Sequence, residues 1–189
     1  MENANSSAKN KVVDEIIEWV ETILFSFLTV VLIFTFVLRT SEVIGSSMSP
    51  TFTGKNDQTG QTGDRLVYFS LMSDYENGDV VVINSEVLDE AIIKRVVAVP
   101  GQTIDIDFDL GEVYVDGELL DEEYIYEPTF TDYGAVQYPY TLQNDEFFVL
   151  GDNRNNSLDS RFFGPVQRDD ILGKAVFRFY PLSEFGVIE

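Results

Sequence analysis

Three segments of the sequence contain residue types that can carry out chemistry. The first is residues 45–51, Gly-Ser-Ser-Met-Ser-Pro-Thr; the second is Lys94 within an apolar run; the third is the polar segment 151–161. The chain contains no His and no Cys. Ser-His-Asp hydrolysis, thiol nucleophiles, disulfides and zinc sites with thiolate or imidazole ligands are therefore excluded. An enzyme of this composition needs a carboxylate, a lysine or an ordered water as its base.

Lys94 lies in the middle of a predicted strand over residues 91–99. Alternation places Ile92, Val96 and Ala98 on the face that carries Lys94, so hydrocarbon surrounds the ammonium group if that face is the inner one. An edge strand, or a side chain that reaches water, is the alternative. Burial matters because a free lysine with a pKa of about 10.4 is neutral only about once in 2,500 at pH 7.

The other two segments also have ordinary interpretations. Residues 45–51 have the composition of a flexible linker. Residues 151–161 hint at a calcium loop, but Arg154 stands at the third ligand position, Ser157 replaces the glycine and Phe163 occupies the position of the bidentate glutamate. The calcium interpretation is rejected.

The N-terminal region predicts one transmembrane helix. Residues 22–38 carry no charge, and Trp19 and Arg39 flank this run at the depth of the lipid headgroups. At about 1.5 Å per residue, residues 19–38 span roughly 30 Å, the hydrocarbon thickness of a bilayer. The chain is predicted to divide into a short tail over 1–18, a membrane anchor over 19–39 and an extracytoplasmic domain over 40–189.

A buried core helix and a cleaved secretory signal are the alternatives to an anchor. A core helix is disfavoured because the run has no polar face. A cleaved signal has an apolar core of only about 7–15 residues, and the small residues suited to cleavage come late here, around 45–47. Lys9 and Lys11 before the run, against Arg39 after it, slightly favour an N-terminus inside the cell.

The domain after Arg39 is predicted to be mainly β. Its short runs rich in Val, Ile, Phe and Tyr are separated by turn residues, and no long helix-period stretch occurs. Asp116-Gly117 predicts a tight hairpin turn, residues 53–63 an exposed loop, and the acidic, aromatic segment 121–140 a surface hairpin or extension. The predicted strands are 65–69, 79–84, 91–99, 103–106, 112–115, 146–150 and 174–180. These features favour an antiparallel sheet assembly or barrel.

Taken together, these segments resemble type I signal peptidase, a membrane-bound Ser-Lys endopeptidase that removes signal peptides from exported proteins. The resemblance covers nearly the whole chain, with four motifs in family order behind an N-terminal anchor. They are Ser47-Met48-Ser49-Pro50-Thr51, Asp64-Arg65-Leu66-Val67, Lys94-Arg95-Val96-Val97-Ala98-Val99-Pro100-Gly101 and the Gly-Asp-Asn-Arg segment at 151–161. This resemblance reverses the linker and surface-lysine interpretations.

The resemblance implies the catalytic roles. Ser47 matches the nucleophile and Lys94 the general base, with Met48 and Pro50 as motif residues around the nucleophile. Gly45 stands where some bacterial members carry a hydroxyl that helps to stabilise the oxyanion. The backbone N–H of Ser47 would then carry more of that task.

The resemblance also implies supporting roles. Ser157 is expected to hydrogen-bond to Lys94 and orient it, Asp159 and Arg161 are expected to form a structural ion pair, and Arg95 is expected to be structural. Two further positions depart from the family pattern. They are Ala98, where the family usually has glycine, and Gln102, where it often has aspartate.

The implied architecture is a single transmembrane helix followed by an antiparallel all-β catalytic domain with an inserted β-rich extension, roughly residues 104–145. The implied partners are the signal peptides of exported preproteins, with small residues at positions −3 and −1, together with the lipid bilayer and a nearby secretion translocon. The active site is expected near the outer surface of the cytoplasmic membrane. No metal or organic cofactor is implied.

Charge and context weigh against the competing functions. The chain has 12 Lys+Arg against 33 Asp+Glu, a net charge of −21, which would repel a nucleic-acid backbone. Self-cleaving repressors share a related Ser-Lys fold, but they have a DNA-binding or short soluble N-terminus in place of an anchor. A non-catalytic membrane-anchored surface or accessory protein of the same fold is the other alternative. The presence of both Ser47 and Lys94 argues against it.

Overall fold

A computed structural model describes residues 2–72 and 74–188, with the backbone alone for residues 2–12. The chain divides into two compact units between Leu38 and Arg39. The helices are α1 Glu2–Phe36 and the short α2 Ser160–Phe163. The strands are β1 Leu38–Glu42, β2 Arg65–Phe69, β3 Val80–Ser85, β4 Glu90–Ala98, β5 Thr103–Asp107, β6 Glu112–Val115, β7 Glu118–Leu119, β8 Tyr140–Thr141, β9 Glu146–Leu150, β10 Val166–Gln167, β11 Ile171–Tyr180 and β12 Gly186–Val187.

The N-terminal unit is one long helix. Its stretch Val13–Phe36 has a mean hydropathy of 2.1 and none of it is buried within the protein. Three threonine hydroxyls in this stretch each donate to the carbonyl four residues earlier, which satisfies them without water. The helix differs from the predicted bounds: it begins at Glu2, inside the predicted tail, and ends at Phe36 because the chain turns into β1 at Leu38.

The second unit is built on two β-sheets. The larger has the strand order β1-β2-β11-β3-β4-β9-β10, with β12 paired to β11, and the smaller has the order β7-β6-β5-β8. The ladders from β2 onward are antiparallel, as predicted. The sequence located seven of the strands. It missed β1, whose first residues fall in the predicted anchor, and the four two-residue strands, which are too short to show a period.

The smaller sheet contains the predicted hairpin. Val115 pairs with Glu118 across the turn. Asp116 and Gly117 have φ values of 54° and 82°, the left-handed region that a two-residue hairpin turn of this kind requires. The prediction from Asp-Gly is therefore confirmed.

The central strand β4 is buried on both faces. Its residues from Ile92 to Ala98 are all buried, and the apolar ones among them belong to three different apolar clusters. Ile93 packs with the residues below β1 and β2, Ile92 and Val96 pack on the opposite side, and Ala98 joins the core under the smaller sheet. The two charged residues in this part of the strand, Lys94 and Arg95, therefore lie inside the protein.

Candidate active site

Ser47 lies in a tight turn after β1, here called the Ser47 turn (residues 45–49). The N–H of Ser49 donates to the carbonyl of Ser46 at 3.1 Å, and Met48 and Phe52 are buried in the core beneath. Burial of these two apolar side chains fixes the turn and leaves Ser47 half-buried at its surface. Pro50 is exposed at the end of the segment.

Lys94 reaches Ser47 from the buried strand β4. Lys94 is only 3% exposed and pairs directly with Val81 of the neighbouring strand β3. Its Nζ hydrogen-bonds to the Ser47 Oγ at 3.0 Å and to the carbonyl of Ile93 at 3.0 Å. Residues 47 positions apart in sequence thus form one hydroxyl–amine pair.

The surroundings change the proton affinity of this amine. Burial lowers the pKa of Lys94 to about 8, although the carboxylates of Asp159, Glu90 and Asp152 act in the opposite direction. At that pKa about one molecule in eleven carries a neutral Lys94 at pH 7. An amine of this kind can accept a proton from the hydroxyl that it contacts.

A cavity of about 320 Å³ opens beside the pair. Ser47 and Lys94 both line it, together with apolar side chains and two carboxylates. The apolar lining includes Ile44, Leu88, Ile92 and Leu158, and the carboxylates are Glu42 and Glu90. The cavity is an open groove large enough for several residues of an extended peptide.

Ser157 does not make the hydrogen bond expected of it. Its hydroxyl is buried and, among the described residues, has no hydrogen-bond partner. The reason is geometric: the ammonium of Lys94 is directed at Ser47 and at the Ile93 carbonyl, whereas the Ser157 hydroxyl lies against Gly151, so close that a Cβ on this glycine would come within 2.3 Å of it. In this structure Ser157 therefore makes no hydrogen bond to Lys94.

The expected structural ion pair is present. Arg161 binds Asp159 through two nitrogens at 2.9 and 2.8 Å, and both residues are fully buried. Asp159 also accepts from the N–H of Gly151 and caps the short helix α2. The pair therefore fixes the Gly-Asp-Asn-Arg segment (residues 151–161) from within.

Arg95 has the structural environment that the resemblance implied. Its guanidinium binds Asp152 through two nitrogens at 3.0 and 2.8 Å and donates to the carbonyl of Gly78. The ring of Tyr124 covers it at 4.1 Å from the ring centroid. Asp152 in turn accepts a hydrogen bond from Thr51, which connects this pair to the chain just after the Ser47 turn.

Sequence reasoning missed a third buried pair and the segment that provides it. Arg154, fully buried, binds Glu122 at 2.6 Å and Thr129 at 3.0 Å. Glu122, Tyr124 and Thr129 belong to residues 121–133, here called the acidic strap. Of the two predicted alternatives for this region, the surface hairpin is wrong, because residues 121–133 contain no strand. The segment is instead an irregular extension that lies across the Gly-Asp-Asn-Arg segment. The only signal in the sequence was that this segment shows neither the two-residue hydrophobic period of a strand nor the period of a helix.

The structure also explains two departures from the family pattern. Ala98 does not share the face of Lys94, because a bulge between Val96 and Ala98 interrupts the alternation and turns Ala98 into the core under the smaller sheet. Gln102 closes the Pro100-Gly101 turn, accepting from the N–H of Val99 and donating to Asp116.

Gly45 adopts a φ of 73°, and its Cα hydrogens face open space. A Cβ atom there would meet no atom within 4 Å, but the new residue would have to adopt a left-handed backbone. A Gly45→Ser variant is therefore expected to fold with a loss of stability of about 1–2 kcal/mol.

Comparison with known proteins identifies the family of this chain. The family model described as signal peptidase, peptidase S26, matches residues 16–180. The chain therefore belongs to the signal peptidase family, peptidase S26. It is a serine endopeptidase, a hydrolase of the class that removes signal peptides from exported proteins.

Individual relatives span most of the chain. A probable signal peptidase I-2 of Synechocystis is 37% identical over 82% of this chain and 68% of its own length. A signal peptidase I of Leptolyngbya laminosa is 33% identical over 96% of this chain and 88% of its own length. Signal peptidase I P of Bacillus subtilis subsp. natto is 33% identical over 89% of this chain and 91% of its own length. A crystal structure of a signal peptidase I from Enterococcus faecalis covers 53% of this chain and 96% of its own, at 29% identity and a TM-score of 0.47.

Proposed function

We propose that this protein is a membrane-anchored signal peptidase in which Ser47 is the nucleophile and Lys94 the general base. The observation that supports this assignment is the 3.0 Å hydrogen bond between Lys94 Nζ and Ser47 Oγ, with Lys94 buried and its pKa lowered to about 8. Lys174, which is also partly buried, lies on β11 and pairs with Asp79 instead of a hydroxyl.

The reaction proceeds by acyl transfer. Neutral Lys94 takes the hydroxyl proton of Ser47, and Oγ forms a bond to the scissile carbonyl carbon while the carbonyl electron pair moves onto oxygen. Lys94 then gives that proton to the leaving amine as the C–N bond breaks. A water that loses its proton to Lys94 attacks the acyl ester, and Ser47 is restored when the proton returns to its oxygen. The Ile93 carbonyl holds the amine in place throughout.

The backbone N–H of Ser47 is the proposed donor to the oxyanion. Among the described residues it has no hydrogen-bond partner, so it is available when charge develops on the carbonyl oxygen. Gly45 offers no side chain for this task. The substrate is proposed to lie extended in the groove, with small residues at −3 and −1 and its scissile bond at Ser47.

The anchor is proposed to be α1, whose apolar stretch Val13–Phe36 is long enough to cross a bilayer. Lys9 and Lys11 before it favour an N-terminus inside the cell, which places the domain after Arg39 on the extracytoplasmic side. Since Ser47 follows the anchor closely in sequence, the site would act at the membrane surface, beside lipid and near the translocon that delivers preproteins.

The test is cleavage of a secretory preprotein by purified full-length protein in detergent or liposomes. Ser47→Ala, Lys94→Ala and Lys94→Arg are each expected to abolish cleavage, the last because a guanidinium does not release its proton at any useful pH. Lys174→Ala serves as the matched lysine control and should keep wild-type cleavage. Appreciable turnover by Lys94→Arg would contradict the base assignment, and a wild type without activity would favour a non-catalytic accessory protein.

A further inference from the structure

Asn153 holds the peptide groups on both sides of Ser47. Its side-chain Nδ2 donates to the carbonyl of Ser46 at 3.1 Å, and its backbone N–H donates to the carbonyl of Ser47 at 3.0 Å. These contacts join positions more than a hundred residues apart in sequence. A single residue of the Gly-Asp-Asn-Arg segment therefore fixes two consecutive carbonyls of the Ser47 turn.

Because of the geometry of the peptide group, these contacts also set the direction of the Ser47 N–H. A peptide group is planar and trans, so the N–H of Ser47 points opposite to the carbonyl of Ser46. That carbonyl is held towards Asn153 and the N–H of Ser49. The Ser47 N–H must then point away from the Gly-Asp-Asn-Arg segment, and it meets no acceptor among the described residues.

Asn153 itself is held on both sides by buried charges. Asp152 is fully buried and bound to Arg95 by two hydrogen bonds. Arg154 is also fully buried and bound to Glu122 and to the carbonyl of Gly151. With both neighbours locked, the backbone of Asn153 has little freedom, and its amide is a rigid support for the turn.

We infer that Asn153 is a positioning residue that aims the backbone N–H of Ser47 at the oxyanion of the transition state. This inference rests on the proposed function of Ser47 as nucleophile. Asn153 touches neither the substrate nor the reacting atoms; it acts through the Ser46–Ser47 peptide group. Loss of its side chain should therefore weaken stabilisation of the transition state more than binding of the substrate.

The first measurement separates kcat from KM for cleavage of a preprotein by the full-length enzyme. Asn153→Ala is expected to lower kcat by about 10- to 100-fold, since a small misplacement of a catalytic group has effects of that size. KM should change by less than about 3-fold. Asn153→Asp has nearly the same size but cannot donate to the Ser46 carbonyl, so it should be at least as impaired.

The second measurement uses a peptide aldehyde ending in alanine. Ser47 Oγ adds to its carbonyl carbon, the hydroxyl proton passes to Lys94 and the carbonyl electron pair becomes an oxyanion, which the Ser47 N–H must stabilise. Asn153→Ala and Asn153→Asp should lose aldehyde affinity by the same factor as kcat. The corresponding peptide alcohol forms no oxyanion, and its affinity should stay within about 3-fold.

Asn155→Ala is the matched control. Asn155 lies two positions away, but its side chain binds Phe130, Thr131 and the carbonyl of Pro128 in the acidic strap. It should keep kcat and aldehyde affinity.

Two results would overturn the inference: wild-type kcat and aldehyde affinity in both Asn153 variants, or equal weakening of aldehyde and alcohol binding. Failure of the proposed function is a different result, namely cleavage by Ser47→Ala.

Discussion

At the scale of single residues, the proposed chemistry depends on how little water surrounds the Lys94 amine. Water stabilises an ammonium ion strongly, and removing that water favours the neutral amine. Lys94 is 3% exposed and has no carboxylate within ion-pair distance among the described residues, whereas Lys55 is paired with Asp57 and Lys174 with Asp79. Burial without an ion pair is what distinguishes Lys94.

The pH dependence of cleavage follows from this environment. Because Lys94 must be neutral to act as the base, kcat/KM should rise with pH and level off above about 8, the pKa of Lys94. Glu90 raises that pKa through its charge. Glu90→Gln should therefore move the midpoint of the profile to lower pH, as measured by kcat/KM from pH 5 to 10.

The control for this shift is Glu118→Gln, an exposed carboxylate on the smaller sheet. It should leave the midpoint where the wild type has it. A profile that rises only near pH 10, or a Glu90→Gln midpoint at higher pH, would contradict the assignment of Lys94 as the titrating base.

At the scale of elements, the acidic strap locks the Gly-Asp-Asn-Arg segment in place. Arg154 is fully buried and its partner Glu122 is nearly so. Removing the charge of Glu122 leaves a buried guanidinium without its counter-ion, which typically costs 3–5 kcal/mol. Glu122→Gln is thus expected to lower the Tm by about 6–20 °C, given about 2–4 °C per kcal/mol for a domain of this size.

The comparison for that experiment is Asp57→Asn. Asp57 pairs with Lys55 at 3.0 Å, but both side chains are exposed to solvent. Surface pairs of this kind contribute little to stability, so thermal unfolding should be unchanged. A Glu122→Gln variant as stable as Asp57→Asn would show that the strap does not hold the segment.

The loop over residues 53–63 supports the Ser47 turn through close backbone packing. A side-chain carbon on Gly54 would lie 1.5 Å from the carbonyl oxygen of Gly45. Gly54→Ala must therefore push the two backbones apart, and we expect at least a 100-fold loss of cleavage together with a lower Tm. Gly60→Asn, at the open tip of the loop with a left-handed φ that Asn tolerates, should retain activity. Full activity of Gly54→Ala would contradict this support.

At the scale of the whole molecule, the two units have opposite relations to water. The helix exposes its apolar side chains from Val13 to Phe36, while the domain after Arg39 buries many of its apolar residues and carries most of the acidic residues. The exposed apolar surface of the helix is stable in the hydrocarbon of a bilayer, whereas the acidic surface of the domain is stable in water. The proposed membrane anchor with an exported domain satisfies both conditions.

This arrangement predicts the result of proteolysis. Protease added to right-side-out vesicles should digest the domain after Arg39 and leave the residues before the anchor intact. In inverted vesicles the domain should be protected instead. Protection of the domain in right-side-out vesicles would reverse the proposed orientation.

The sequence by itself indicated most of the longer elements and predicted the two central residues of the site. A long uncharged run favours a helix suited to lipid, and runs of Val, Ile and Phe between turn residues favour buried strands, because these patterns depend on local sequence. Asp116-Gly117 defined a hairpin for the same local reason. The motifs around Ser47 and Lys94 identified the pair, although their contact is not visible in one dimension.

Tertiary structure alone decided how that pair is supported. The hydrogen bond from Asn153 to Ser46, the ion pair of Glu122 with Arg154 and the stacking of Tyr124 on Arg95 join distant positions. The bulge that turns Ala98 away from Lys94 and the rotamers that leave Ser157 without a partner depend on packing across strands. Such contacts follow from the mutual fit of buried side chains, which no local pattern encodes.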